Sequence, residues 1–409
     1  MLTDLFPKAS KRLLSLPVLG PFTAGYEAWL VERGYARGSR QHLVRALGRI
    51  DRYLQCHASG VSHAGLDACW RWYRRRDAVV AGAVRSLTRC LEVHGHLPER
   101  LLPPPTPTEA CVATYVATLH DLRGLAVSTL TQHRRTAREF LAQLGYDCAP
   151  ARLAVLTARD VEAYVQQAGT RLNRASLQHT VAELRSFLRF LGREGWAPHG
   201  LDAQIDTPRC YRQEQLPRAL PWPTVQAFLA AIDRTTPLGR RDYTIFFLIA
   251  TYGLRASEIV TLTLDAIEWR TGVLHITPRK HGTPLTLPLT DAAGRVLLQY
   301  LRTARPPTPR REVFLRGRAP AGILKPTAIT EAFQAWTRRS GLAIPFQGPH
   351  CLRHAVAVHL LRQGVSLKAL GDLLGHRTAE STQAYLRLAV DDLRSVPVPV
   401  PTGGEEVGA

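Results

Sequence analysis

Apolar positions along most of the chain fall at helical spacing. Phe22, Tyr26, Trp29 and Leu30 share one face, and the pattern breaks at Gly34-Tyr35-Ala36-Arg37-Gly38. Ser39 is a ready cap for a second helix with Leu43, Leu47, Ile50 and Leu54 on its core side. Residues 66–73 and 83–93 read as two more helices, and a proline-rich linker follows, with Pro98 and Pro103-Pro104-Pro105-Thr106-Pro107. The same order then recurs: helices over 111–119, 128–144, from 156 onward, and over 176–193. Val84-Arg85-Ser86-Leu87 parallels Leu184-Arg185-Ser186-Phe187. The reading is of two small four-helix units in tandem, 22–100 and 108–202, after an N-terminal arm at 1–21.

Residues 203–223, with Pro208, Pro217, Pro221 and Pro223, read as a second linker. Beyond it an apolar helix over 242–252 stops at Gly253. The period then changes: 273–276 and 284–289 alternate like two strands of a small sheet. Helices return over 291–302, 327–340 and 355–363, the last stopping at Gly364. Ser366 caps a helix over 367–374 that stops at Gly375, and Thr378 caps a third short helix that carries Tyr385. The fold class is therefore mainly α with a small antiparallel β-sheet. A catalytic unit is expected at 224–395 and a disordered tail at 396–409.

Composition narrows the partners. Lys and Arg number 53 against 33 Asp and Glu, a formal net charge of +20, which favours a polyanionic partner. No apolar run has the length a membrane span needs, and the N-terminus lacks the charged start and apolar core of a signal peptide, so a cytoplasmic, nucleoid-associated protein is expected. The 7 cysteines show no C-x-x-C pair, which gives no sign of a disulfide framework or a zinc site. Arg dominates the basic residues, so Lys280 stands alone between Lys11 and Lys325.

The chemistry concentrates late in the chain. His350-Cys351-Leu352-Arg353-His354 is followed by Leu374-Gly375-His376 and then by Tyr385. One helical turn brings His350 and Arg353 to one side, and His376 sits just past a helix end. Arg holds two phosphate oxygens in a fork, His moves protons near neutral pH, and Tyr is a nucleophile once relieved of its proton. That set suits a phosphodiester. No carboxylate cluster accompanies it, so no metal is expected. Taken singly, His350 or His376 reads equally well as a structural histidine, and helix–Gly–helix also fits a helix-turn-helix.

The combination resembles the C-terminal signature of the tyrosine recombinase (phage integrase) family. Gly253-Leu254-Arg255-Ala256-Ser257-Glu258 resembles that family's first arginine motif, and Lys280, between the two strands, falls where its catalytic lysine sits. Leu216-Pro217-Arg218-Ala219-Leu220 resembles the segment that opens its catalytic domain, and 108–202 resembles its core-binding module. The likeness does not reach before about residue 100. One departure is Ala355-Val356-Ala357, where the family often has Thr or Ser.

The resemblance implies an enzyme that cleaves and rejoins DNA strands through a 3′-phosphotyrosyl link and a Holliday junction, with neither cofactor nor metal. Tyr385 would be the nucleophile, Arg255 and Arg353 the phosphate ligands, Lys280 the donor to the leaving 5′ oxygen. His350 would assist proton transfer at Tyr385, His376 would bond the phosphate, and Glu258 would be structural support. The implied partners are double-stranded recombination sites, a tetramer of the chain on DNA, with its C-terminal piece on a neighbouring protomer, and other recombinases or accessory proteins. The helical and catalytic parts would clamp the duplex. Mobile-element integration, excision or transposition is the favoured role. A chromosome-dimer resolvase, a swivelling topoisomerase and a catalytically silent DNA-binding factor stand as alternatives. A plain helix-turn-helix regulator would leave Arg255 and Lys280 unexplained.

Overall fold

The structure is a computed structural model that describes residues 2–58, 60–98, 100, 104–207, 209, 218–277, 284–376 and 378–386. It divides into two compact units, residues 101–215 in one, and residues 1–100 together with 216–409 in the other.

The first stretch, expected to be an arm, is helical and packed. Helices α1 (Leu2–Leu5) and α2 (Ser10–Leu14) bury Leu2, Leu5 and Leu13 among the residues of α3 (Gly20–Glu32), α4 (Arg37–His57), α5 (His63–Tyr73) and α6 (Ala78–Val93). The physical reason is Asp51, a buried carboxylate on α4. It accepts the backbone N–H of Val18 at 2.9 Å and of Leu19 at 2.7 Å, at the start of α3. A buried charge is tolerated only with such donors, so it fixes the chain entering α3 against α4. A second buried carboxylate, Glu27, pairs with Arg40 at 2.6 Å and ties α3 to α4 again. Helices α5 and α6 carry side-chain caps from Ser62 and Asp77. This N-terminal bundle meets the later part of its unit where Ala321 N–H donates to Arg33 O at 2.9 Å.

The other unit holds α7 (Pro107–Arg123), α8 (Val127–Gln143), α9 (Ala158–Arg171) and α10 (Arg174–Arg193). The proline-rich stretch ends where α7 begins: Thr106 and Glu109 form a capping box, and Pro107 takes the first turn, where its missing N–H costs nothing. A second capping box, Thr157 with Asp160, starts α9, and Asn173 caps α10. Tyr115, Phe140, Phe187 and Phe190 form the aromatic centre of its core.

The catalytic half opens with α11 (Trp222–Ala230), which starts inside the stretch expected to be linker; residues 210–217 of that stretch lie outside the described ones. Helix α12 (Pro237–Tyr252) runs through the core, and α13 (Ala256–Thr261) follows after a turn at Gly253. Strands β1 (Ile267–Glu268), β2 (Val273–Ile276) and β3 (Leu285–Pro288) form an antiparallel sheet in the order β1-β2-β3. Leu274 opposes both Ile267 and Leu287, so one face of the sheet enters the core. Helices α14 (Asp291–Thr303), α15 (Pro326–Ser340), α16 (His350–Arg362), α17 (Leu367–Leu374) and α18 (Ala379–Gln383) complete it. A buried ion pair braces this half: Asp242 takes Arg241 on one oxygen at 2.7 Å and Trp336 Nε1 on the other at 2.9 Å, while Arg241 also reaches Leu315 O. Among the described residues no helix is long and apolar enough to cross a membrane.

Candidate active site

Three chain segments converge through one side chain. Arg353, in the first turn of α16, is buried, and its guanidinium donates to Gly253 O and, at 2.7 Å, to Leu374 O. Gly253 ends α12 and precedes Arg255; Leu374 ends α17 and precedes His376. Two of the five donors on Arg353 thus join the two loops that carry the other candidates, and the guanidinium also hydrogen-bonds Tyr385. Gly253 has φ +66°, and an added Cβ would collide with Leu374 and touch Arg353 and Val356. The Gly is needed both for its backbone conformation and for this close approach. Ala355, Val356 and Ala357, which depart from the family's usual residues, are buried packing positions.

Arg255 stands at the N-cap of α13. Glu258, buried, accepts the Arg255 backbone N–H at 2.7 Å with one oxygen and the guanidinium at 2.7 Å with the other. About a third of the Arg255 side chain (36%) stays accessible, so the charge is held in place but still open to an anion. Arg353 sits close enough to Arg255 to feel its charge: burial first, then Arg255, lowers the Arg353 pKa to about 10, which leaves it cationic at neutral pH. The charge of Arg255 disfavours that of Arg353, Glu258 offsets part of this, and an anion between the two would offset more.

The three imidazoles respond to the same field. Burial, then neighbouring positive charge from Arg353 and Arg255, lowers the pKa of His376 to about 4. His354 also falls to about 4, by burial and then by His350, Arg353, His376 and Arg218. His350 keeps more of its surface open, yet partial desolvation, then Arg353 and Arg255, shifts it down as well. His376 Nδ1 lies 2.9 Å from the buried hydroxyl of Thr382 on α18, which sets the ring's orientation.

Tyr385 does not sit within α18 as the sequence pattern suggests. The helix ends at Gln383, and Tyr385 follows two residues on, with its ring buried. Its ring lies parallel to His376 at 6.1 Å between centroids, and its hydroxyl lies 3.0 Å from His354 Nδ1. Burial raises its pKa, while Arg353 and Arg255 pull the other way. His354 was not among the residues singled out from the sequence. The available signal was its four-residue offset from His350, which puts both rings on one helix face.

Arg255, Glu258, His350, Arg353, His376 and Tyr385 are therefore brought together. Lys280 lies outside the described residues, as do Arg279, His281 and the chain after residue 386. The base of the hairpin that leads to Lys280 is tied to the same site: Tyr252 OH donates to Pro288 O at 2.9 Å and accepts from Thr290 N–H at 3.0 Å. Tyr252 is the last residue of α12, three before Arg255.

Two family models match this chain: the phage integrase family over residues 220–391, and the phage integrase N-terminal SAM-like domain over residues 112–195. The chain is 34% identical over 402 residues to a protein of Sinorhizobium fredii named integrase/recombinase y4rA, covering 95% of this chain and 97% of that one. It is 30% identical to the tyrosine recombinase XerD of Listeria monocytogenes, over 67% of this chain and 92% of that one. Among solved structures, a lambda integrase tetramer bound to a Holliday junction aligns with a TM-score of 0.53 at 16% identity, over 76% of this chain and 87% of that one.

Proposed function

Because the chain belongs to the phage integrase family of tyrosine recombinases, we propose that it recombines specific DNA sites by direct strand transfer with Tyr385 as the nucleophile. One observation carries the proposal: a buried phenol lies against an imidazole beside two guanidiniums, one of them held by a carboxylate. The phenol oxygen attacks the scissile phosphorus, a 3′-phosphotyrosyl bond forms, and the 5′ oxygen leaves. Arg255 and Arg353 take the non-bridging oxygens and offset the charge that grows in the transition state. Their mutual repulsion is relieved as that charge develops, so the site favours the transition state over the empty pocket. His376 donates to the same phosphate, His350 assists proton transfer at Tyr385, and Lys280 protonates the leaving oxygen. Because the phosphotyrosyl link retains the bond energy, no nucleotide is consumed, and the side chains named here take every role without assigning one to a metal.

The enzyme acts as a tetramer on two duplex sites in the cytoplasm, and the favoured setting is a mobile element. Supporting this, the integrase/recombinase relative covers 95% of the chain, the N-terminal bundle included, whereas the XerD relative covers 67% of it. Chromosome-dimer resolution remains the second reading, favoured by that XerD likeness. The test begins with duplexes recovered by rounds of binding selection from random DNA. A plasmid carrying two copies of the recovered site should lose the intervening segment in the presence of EDTA. Arrest of recombination by EDTA would overturn the metal-free scheme.

A further inference from the structure

Tyr385 must give up a proton as it attacks, and its surroundings offer few places for that proton to go. Arg353 and Arg255 are cations without a lone pair. The His376 ring lies parallel to the phenol (interplanar angle 10°), and its Nδ1 faces Thr382 at 2.9 Å. A ring stacked in this way does not direct an in-plane lone pair at the hydroxyl. His354 does: its Nδ1 is 3.0 Å from the Tyr385 hydroxyl, and its ring is tilted by 51° to the phenol. His350, on the same helix face one turn earlier, meets His354 edge-on at 5.4 Å between centroids.

We propose that His354 is the catalytic base of strand cleavage, accepting the phenolic proton on Nδ1 as Tyr385 attacks. The proposal rests on the reading of Tyr385 as nucleophile. The Tyr385 O–H bond breaks and its proton passes to Nδ1. The Tyr385 oxygen–phosphorus bond forms as the phosphorus–5′-oxygen bond breaks, and the 5′ oxygen takes a proton from a separate donor. In rejoining, the 5′-hydroxyl returns its proton to that donor as its oxygen attacks the phosphorus, the Tyr385 oxygen–phosphorus bond breaks, and His354 returns its proton to the phenol.

For Nδ1 to accept, the ring must be neutral with its proton on Nε2. Burial first keeps His354 neutral in the free protein, and the groups facing it add to this: the cations Arg353 on α16 and Arg218 in the segment before α11, with the titratable His350 on α16 and His376 after α17 disfavouring a further positive charge. A docked phosphodiester brings negative charge among these groups and raises the basicity of the imidazole. The base is thereby weak without substrate and strengthened by it, which protects an isolated protomer from futile ionisation of Tyr385.

The test compares wild type with His354→Gln and His354→Ala on two nicked duplexes of the recovered site, one with an ordinary scissile phosphate and one with a 5′-bridging phosphorothiolate. Gln offers an acceptor in a similar place but takes no proton. Both variants should bind the duplex in gel shifts and cleave at neutral pH at least about 100-fold more slowly, the range for loss of a general base. The deficit should persist on the phosphorothiolate, whose leaving sulfur needs no proton, and should shrink as pH rises and hydroxide removes the phenolic proton.

Near-normal cleavage by His354→Gln would reduce His354 to an orienting contact and overturn the proposal. So would a deficit erased by the phosphorothiolate, which would move His354 to the leaving-group side. Loss of duplex binding by both variants would assign His354 to structure alone and equally overturn it. Tyr385→Phe runs alongside: an adduct formed by that variant refutes the nucleophile assignment itself, whereas silent Tyr385→Phe with fully active His354→Gln refutes only the base.

Discussion

His354 Nδ1 lies 3.0 Å from the hydroxyl of Tyr385, joining α16 to the residue just past α18. The contact crosses 31 positions of sequence and ties the phenol to the helix that also supplies Arg353. Arg353 in turn holds the backbone before Arg255 and before His376. The site is thus a small set of mutual supports, and disturbing any one of them should be felt at the others.

Acid should loosen it. His350, His354 and His376 all have lowered pKa values in the folded chain, the last two to about 4 from an ordinary 6.5. Between those values the unfolded chain binds more protons, so stability rises with pH and is lost as pH falls from about 6.5 towards about 4. Above that window these groups add no slope. Urea midpoints measured across the range should fall on acidification, less steeply in His354→Gln, and sulfate should flatten the fall by occupying the anion site. A midpoint independent of pH through this window would contradict the burial of these imidazoles.

Gly253→Ala should be costly. The left-handed conformation alone costs an L-residue about 1–2 kcal/mol, and the new methyl would meet Leu374. Gly253 O accepts from Arg353, so backbone strain at Gly253 should also disturb that guanidinium. Urea denaturation should show the stability loss, and adduct formation on a nicked duplex should fall by more than duplex binding does.

The buried pair Arg241–Asp242 should dominate the stability of the catalytic half. Asp242→Ala leaves the buried Arg241 charge without its counter-ion, holding only Leu315 O, and the Trp336 N–H without its acceptor, a change expected to cost about 3–5 kcal/mol. The exposed pair Arg311–Asp265 provides the control. Its partners keep 60% and 66% of their side-chain surface in solvent, and Asp265→Ala should leave the urea midpoint close to that of wild type. Equal losses in the two variants would contradict this contrast.

Glu258→Gln keeps the shape but removes the charge that grips Arg255 on two donors. DNA binding should survive, since Arg255 is one contact among many. Cleavage should drop towards the roughly 100-fold that loss of one positioned transition-state donor costs. Single-turnover cleavage with saturating duplex separates the two, and an unchanged rate would show that Arg255 needs no such support.

Much of this architecture is legible in the sequence because it is locally encoded. Ser366 caps α17 through the Ala369 N–H, and Gly375 closes it in the left-handed conformation, as the residue types suggest. The change of period at 273–289 marks the β2–β3 hairpin. What stays hidden depends on tertiary docking. Residues 2–19 look unpatterned because their helices are short, and their anchor, Asp51, lies more than 30 positions away. Which of two imidazoles on one face of α16 reaches the phenol depends on where the end of α18 settles, and no local pattern states that. Arg241 and Asp242, adjacent in sequence, read as an ordinary polar surface pair until the core closes over them.

The measurement that bears most directly on the account is the covalent intermediate. Wild type and Tyr385→Phe are incubated in EDTA with a nicked duplex of the recovered site, then denatured, digested and examined by peptide mass spectrometry. A nucleotide bonded to the peptide containing Tyr385, in wild type only, is the predicted result. An adduct that persists in Tyr385→Phe, or one that forms on another residue in wild type, would contradict the assignment of Tyr385 as the nucleophile.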